Sequence, residues 1–284
     1  WSDFCQTFCR AGVILRMRKF IAMTISSTVI VFLFFSCASP TEQGTGEQAG
    51  PETAVDSVLL SRYPDSIALR LKLSSFYESR GDISGALRVI TSGIERDSLQ
   101  PITWNRKASL LLSMQDTTGA IGSLLRSLTI NPDQTDILLE LGFIYADRRD
   151  PAAIAVAERI LAPEGDPRFH TEAYYLKGIY LGNIGRYAEA IQSYDGAIRS
   201  SYTFTDAYIE KGILLFDQGK IADALGVFEK VLTVNNSLAD GYYWRGRCHE
   251  SSGRKTAALE DFRRALSLDP NLKGAHEGEM RLSK

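Results

Sequence analysis

The chain has 284 residues, with 32 Lys and Arg side chains against 34 Asp and Glu, and a formal net charge of −2. A balance this close to neutrality argues against general nucleic-acid binding, which usually shows a basic patch or a high isoelectric point. Hydrophobic residues make up 44% of the chain, which is ordinary for a folded protein, and the many Ala, Leu and charged residues favour helices.

The segment 17–36 has the order of a secretory signal peptide. It opens with Met17, Arg18 and Lys19, and an apolar run follows. A charged start, an apolar centre and small residues at the end are the three parts of such a signal. Residues 1–16 match nothing downstream, so we expect translation to begin at Met17 and 1–16 to be an upstream over-read.

Cys37 stands directly at the end of the apolar run, after Leu33-Phe34-Phe35-Ser36. This motif resembles the lipobox of bacterial lipoproteins, in which the signal is cut before a cysteine that then carries acyl chains. Ser36 fits the small residue before the cut, whereas Phe34 and Phe35 depart from the usual pattern. The resemblance implies a lipid anchor at Cys37, and more than one acyl chain makes such attachment stable.

Ala38 follows the cysteine, where an Asp would direct some lipoproteins to the inner membrane. The resemblance therefore implies an outer-membrane lipoprotein of the bacterial cell envelope, facing the periplasm or the cell surface. Two alternatives stay open. One is an uncleaved signal anchor, although the run of sixteen residues from Phe20 to Phe35 falls short of the ~20 that a span needs. The other is a secretory signal that is cut elsewhere.

Residues 37–54 contain Ser, Thr, Glu, Gln, Gly and Pro and almost no apolar side chains. Such a composition predicts a flexible tether that lets the folded part stand away from the membrane. The segment 55–66 then predicts an N-terminal capping helix that ends before Tyr63-Pro64.

A small residue recurs every 34 residues over most of the chain, with one step of 36. The six positions are Ser74, Ala108, Gly142, Gly178, Gly212 and Gly246. In most copies turn signals follow seven residues later and an alanine follows twelve residues later. A fixed period of this size predicts a repeat array in which each unit is a pair of short amphipathic helices, and stacked units share a continuous core.

The period predicts six units between residues 67 and 272. They are 67–100, 101–134, 135–170, 171–204, 205–238 and 239–272. The third unit carries two extra residues and a loop, 162–167, with two prolines. We interpret this loop as a hinge, a binding loop or a tolerated surface insertion. Residues 273–284 predict a polar C-terminal cap, which solenoids need for solubility.

Aromatic residues occupy two further positions of the repeat in register. They are Trp104, Tyr174, Tyr208 and Tyr242 at position 4, and Tyr194, Phe228 and Phe262 at position 24. With alanine at position 20, the pattern resembles the tetratricopeptide repeat over residues 67–272. The resemblance implies an all-α fold, a right-handed superhelical solenoid of helix-turn-helix hairpins with a concave groove. It also implies a scaffold whose partners are other proteins or peptides.

No catalytic constellation or cofactor motif stands out in the sequence. The glycines recur because the hairpins need them, so they indicate no phosphate-binding loop. Four cysteines and three histidines are scattered and give no metal-ligand pattern. We therefore expect no enzyme activity, no cofactor, no metal and no nucleic-acid partner. Cys248 falls at position 10 of its unit, where we expect a small buried hydrophobe.

In tetratricopeptide repeats, positions 2, 5, 9 and 12 of the first helix line the groove. The middle of this array is apolar at positions 5 and 9, and it lacks the Lys and Asn set with which chaperone-binding members clamp a terminal carboxylate. The predicted partner-binding groove comprises Leu139, Phe143, Tyr175, Ile179, Ile209, Ile213, Phe216, Tyr243 and Arg247.

An exposed apolar stripe of this length would be unusual without a partner. Two alternatives to peptide binding stay open. In the first, neighbouring repeats bury these side chains. In the second, a periplasmic small ligand or glycan stacks on the groove aromatics Tyr175, Tyr208 and Tyr243.

Overall fold

The fold is taken from a computed structural model, which describes residues 58 and 60–283. The regular elements in these residues are all helical. None of these helices combines the length and the apolar character that a membrane span requires. The expectations for 1–16, 17–36 and 37–54, including lipidation of Cys37, lie outside the described residues.

From Ile67 onward, the helices form six hairpins and a final single helix. The first three hairpins are α1 (Ile67–Ser79) with α2 (Ile83–Arg96), α3 (Pro101–Ser113) with α4 (Thr117–Ile130), and α5 (Thr135–Asp147) with α6 (Ala152–Leu161). After a 3-10 helix (Pro167–Phe169) come α7 (His170–Asn183) with α8 (Tyr187–Ser200), α9 (Thr205–Asp217) with α10 (Ile221–Val234), and α11 (Ala239–Ser251) with α12 (Lys255–Leu268). Helix α13 (Lys273–Leu282) follows. The predicted all-α solenoid of helix-turn-helix hairpins is confirmed.

Each hairpin closes where a small residue of the first helix meets a large side chain of the second. A Cβ atom placed on Gly246 would lie 2.9 Å from the Phe262 ring, and one placed on Gly212 would collide with the Phe228 ring. Both rings are fully buried. The small residue therefore lets the two helices approach, and the aromatic ring fills the space beside it at the density of a close-packed core.

A tight turn with one residue in the left-handed conformation joins the two helices of each hairpin. In the fourth hairpin this residue is Gly185, with a φ of 81°, and the following N–H of Arg186 donates to the Leu181 carbonyl. Gln115 and Arg149 hold the same position in two other hairpins, with φ of 62° and 57°. The turns predicted seven residues after the small residues are confirmed. In two of them a residue other than glycine adopts the left-handed conformation, which is sterically unfavourable for a residue with a Cβ atom.

Successive hairpins stack mainly where the second helix of one hairpin packs on the first helix of the next, and their first helices also touch. Helix α5 lies against α7, α7 against α9, and α9 against α11, while second helices pack on the first helix of the next hairpin. The largest core cluster runs through the third to fifth hairpins around Leu176, Leu181 and Tyr194. The core must continue from unit to unit, because one hairpin cannot bury its apolar stripe alone.

The first hairpin carries Arg70 at position 4, where four of the other five units have an aromatic ring. The side chain is buried, and its guanidinium donates to the carbonyl oxygens of Val89 at 3.2 Å and Pro64 at 2.8 Å. A third hydrogen bond runs to Ser92 Oγ at 2.6 Å. Burial of this charged group is tolerable because its donors are used. Since Pro64 precedes α1, Arg70 also ties the preceding segment to the hairpin.

The third hairpin is the irregular one, and its second helix has only 10 residues. Pro151 is the N-cap rather than the first helical residue that proline often occupies, and Asp150 accepts a hydrogen bond from Ala152 N at 2.9 Å. In the loop that follows, Asp166 accepts hydrogen bonds from the backbone N and the guanidinium of Arg168. These local bonds hold the backbone at the end of the loop 162–167.

Helix α13 covers the end of the last hairpin. Gly278 lies under the Phe262 ring and Gly274 under the Tyr243 ring. Arg281 donates to both carboxylate oxygens of Glu250 at 2.7 and 2.8 Å. The cap thus completes the burial of the last aromatic core residue and offers a charged outer surface to water.

We expect Phe228→Ala to lower the free energy of unfolding by about 3–5 kcal/mol, because it removes a buried ring and leaves a cavity beside Gly212. Urea unfolding followed by circular dichroism measures this change. The control is Leu125→Ala on α4, where the side chain is 46% exposed and the expected change is about 0.5 kcal/mol. Equal losses in the two variants would contradict the assignment of Phe228 as a core residue.

Candidate functional site

Six of the nine predicted groove residues are half-buried on the first helices of four successive hairpins. We name this surface the inner face, and it consists of Phe143, Ile179, Ile213, Phe216, Tyr243 and Arg247. Phe143 and Ile179 pack on one core cluster, and Ile213 and Phe216 pack on the next. Because α5, α7, α9 and α11 contact each other in that order, these side chains form one row.

The other three predicted groove residues, Leu139, Tyr175 and Ile209, are buried, with exposures of 5%, 7% and 6%. All three stand at position 5 of their units. The Tyr175 ring lies 6.0 Å from the Phe143 ring and 5.2 Å from the Phe204 ring, between its own hairpin and both neighbours. Position 5 therefore lies in the seam between hairpins. The prediction that these three residues are exposed is wrong, because stacking of the neighbouring units covers them.

The aromatic surfaces needed for glycan stacking are largely closed as well. Tyr208 is 2% exposed, and the Lys230 ammonium lies 5.8 Å from the centre of its ring. Tyr175 is buried in the seam, and only Tyr243 is half-buried. Stacking of a ligand on Tyr175 and Tyr208 is therefore excluded in this structure, because neither ring has a free face.

Aromatic side chains and one arginine close the C-terminal end of the inner face. The Arg247 guanidinium lies 5.2, 5.9 and 5.7 Å from the ring centres of Phe216, Tyr243 and Trp244. It also donates a hydrogen bond to the Tyr243 hydroxyl at 3.0 Å. These cation–π contacts hold the arginine in place. Sequence reasoning missed Trp244, which stands at position 6, outside the expected groove positions.

Sequence reasoning also missed the carboxylates beside this row. Glu140 on α5 is withdrawn from water and lies near Asp136, and together these raise its pKa to about 7. Partial desolvation raises the pKa of Asp217 at the end of α9, although Arg247 opposes this. Glu172 on α7 has a buried Oε2 atom with no hydrogen-bond partner among the described residues. Only the folded arrangement shows how poorly these charges are solvated.

A separate polar cluster lies inside the last hairpin. Asp261 is buried and accepts hydrogen bonds from Arg245 at 2.8 and 2.6 Å, and His249 Nε2 lies 3.7 Å from it. Desolvation lowers the pKa of His249, and the charge of Arg254 adds to this. We interpret the cluster as structural, because the bidentate ion pair satisfies the buried charge. Over residues 58 and 60–283, no three His, Cys, Asp or Glu side chains are grouped to hold a metal.

Cys248 lies beside this cluster and is fully buried. Burial raises the pKa of its thiol to about 11, so the thiolate that reacts or binds metal is suppressed. The prediction of a small buried hydrophobe at position 10 is confirmed.

Comparison with protein families supports the repeat interpretation. The profile of the tetratricopeptide repeat family matches residues 209–272 and, separately, residues 171–203. The chain therefore contains tetratricopeptide repeats in its last three hairpins. A search of curated proteins finds no match.

Solved structures share the fold. A tetratricopeptide repeat protein from Parabacteroides merdae is 22% identical, with a TM-score of 0.63 over 82% of this chain and 91% of its own. PilW, described as a widely conserved type IV pilus biogenesis factor, is 20% identical, with a TM-score of 0.60 over 81% of this chain and 99% of its own. Pseudomonas aeruginosa pilF is 14% identical, with a TM-score of 0.54 over 76% of this chain and 96% of its own. At these identities the similarity establishes the fold alone.

The raised pKa of Glu140 predicts a pH-dependent effect of Glu140→Gln. As pH rises from 4.5 towards about 7, the unfolded chain loses this proton before the folded chain does, so ionisation of Glu140 reduces stability. We expect Glu140→Gln to stabilise the protein by about 1–3 kcal/mol at pH 8 and to change little at pH 4. Urea unfolding at the two pH values measures this difference. An equal gain at both pH values, or the same pattern in the exposed control Glu260→Gln, would contradict the burial of this charge.

Proposed function

We propose that this protein is a non-catalytic interaction scaffold that binds a peptide segment of another protein on its inner face. Folds built from tetratricopeptide repeats generally serve as scaffolds for protein interactions, which supports the general part of this proposal. One observation carries the specific part: Phe143, Ile179, Ile213 and Phe216 form a row of half-buried apolar side chains on three adjoining helices.

A row of this kind leaves apolar surface in contact with water although the core beneath it is complete. Covering such surface is favourable by about 25 cal/mol per Å². The large exposed apolar side chains of the described second helices, such as Leu125 on α4 and Tyr187 on α8, lie on hairpins that are not adjacent. The inner face, by contrast, joins apolar side chains of adjoining hairpins, which supports it as a docking surface, because contiguous apolar area marks interaction sites more than single side chains do.

We further propose that the scaffold is anchored in the bacterial envelope by acyl chains on Cys37, as an outer-membrane lipoprotein that faces the periplasm or the cell surface. The order of the segments at the start of the sequence supports this proposal. A positive start and an apolar run precede Ser36-Cys37, and the polar tether 38–54 follows. Such a tether would leave the repeats free to meet partners away from the bilayer.

Substitutions on the inner face test the binding proposal. We expect Phe143→Ser and Phe216→Ser each to weaken capture of the partner from bacterial membranes by about tenfold, because each removes apolar contact area at one end of the row. Affinity capture with quantitative mass spectrometry measures the loss. Leu125→Ser on α4 is the matched control. Only variants that keep the wild-type unfolding midpoint are compared, and unchanged capture by both inner-face variants would refute the proposal.

Mass spectrometry of the protein expressed from Met17 in a bacterial host tests the anchor. We expect an acylated N-terminal peptide that begins at Cys37, and we expect Cys37→Ala to abolish both the acylation and the membrane attachment. A soluble product cut elsewhere would make the protein a periplasmic or secreted adaptor. An uncut chain would show that the interpretation of residues 17–37 is wrong.

A further inference from the structure

The first helices of the three central hairpins, α5, α7 and α9, are unusually acidic. Their carboxylates are Asp136, Glu140, Asp147, Glu172, Asp206, Glu210 and Asp217. The same helices contain only two lysines, and both bind carboxylates of second helices. Lys177 lies 3.1 Å from Glu158 on α6, and Lys211 lies 2.6 Å from Asp195 on α8. The helices that carry the apolar row therefore present a strong excess of negative charge, in a chain whose net charge is only −2.

The excess is confined to the centre of the array. Helix α3, on one side, carries Arg106 and Lys107 and no carboxylate. Helix α11, on the other side, balances two arginines with Asp240 and Glu250. The cations at these flanks are engaged within the chain, since Arg106 lies 2.7 Å from Glu78 and Arg247 lies over aromatic rings. Of the two, Arg247 acts on Asp217 at the end of α9, whereas neither opposes the rise in the pKa of Glu140.

Two of the central carboxylates are held where water cannot solvate them well. Glu140 is desolvated, and no cation or hydrogen bond opposes the resulting rise of its pKa. Glu172 has an Oε2 atom that is buried without a hydrogen-bond partner in the described part of the chain. A poorly solvated carboxylate costs free energy unless a positive group approaches it. The folded protein therefore gains more from a bound cation here than from one at a fully hydrated surface carboxylate.

The apolar side chains of the inner face lie among these charges in sequence and along the same helices. Phe143 follows Glu140 by three residues on α5, and Ile179 follows Glu172 by seven on α7, so each pair shares one side of its helix. On α9, Ile213 and Phe216 precede Asp217. Apolar and acidic side chains thus alternate along these helices. A peptide that covers the apolar side chains also lies close to the carboxylates.

From this combination we infer that the inner face selects a partner segment in which Lys or Arg side chains alternate with apolar side chains. The inference rests on the proposed function, because it names the class of segment that the inner face would bind. Apolar side chains of the segment cover Phe143, Ile179 and Ile213, and its cations meet the carboxylates of α5, α7 and α9. Complementary charge of this kind speeds association and excludes acidic competitors.

Three synthetic peptides test the charge preference directly. They share the same leucine positions and carry Lys, Gln or Glu at all the others, and fluorescence anisotropy measures their affinity for the purified protein as sodium chloride is raised. We expect the Lys peptide to bind best, with an affinity that falls with salt. The double variant Glu140→Gln/Glu172→Gln should weaken its binding by about tenfold. The matched control is Glu95→Gln/Glu260→Gln, which removes the same charge from exposed positions on second helices and should change binding less than about twofold.

The outcomes separate the charge preference from binding itself. If the Gln or Glu peptide binds as well as the Lys peptide and Phe216→Ser weakens that binding, the inference is overturned while the proposed function stands. If the control variant weakens the Lys peptide as much as the inner-face variant does, the attraction is general and the inference fails. If no peptide binds, the inference also fails, and the capture experiment with Phe143→Ser and Phe216→Ser decides the proposed function on its own.

Discussion

The structure depends on the close approach of two helices at one point in every repeat. At that point the first helix offers a glycine, an alanine or a serine, and in the later hairpins an aromatic ring of the second helix fills the space beside it, as Phe228 does against Gly212. A larger residue at the small position would collide with the ring or force the helices apart. Because the same contact repeats along the chain, every hairpin has nearly the same shape, and hairpins of one shape stack into a solenoid.

Stacking then decides which side chains remain at the surface. Position 5 of the first helix lies in the seam between hairpins, so Tyr175 packs among Phe143 of the third unit and Tyr194 and Phe204 of the fourth. Positions 9 and 12 lie further out and leave Ile179, Ile213 and Phe216 half-buried. The result is a narrower apolar row than the sequence predicted. It is flanked by carboxylates that the same stacking has partly removed from water.

This arrangement gives the inner face two properties that a peptide could use together. Burial of the apolar row favours binding of any apolar segment, because the hydrophobic effect is non-directional. The carboxylates, in contrast, distinguish one partner from another by charge. The Arg247 cluster with Phe216, Tyr243 and Trp244 closes one end of the row. The polar cluster of Arg245, Asp261 and His249 lies within a hairpin and contributes to its packing instead.

The sequence by itself determined the helical fold, the positions of the turns and the burial of Cys248. These follow from a local period of small, turn-forming and aromatic residues, and each such residue acts mainly within its own hairpin. Only the tertiary structure decided that Leu139, Tyr175 and Ile209 are covered and that Glu140 is poorly solvated. The physical reason is that exposure and solvation depend on the neighbouring hairpins, whose offset and close contact cannot be read from one repeat's pattern.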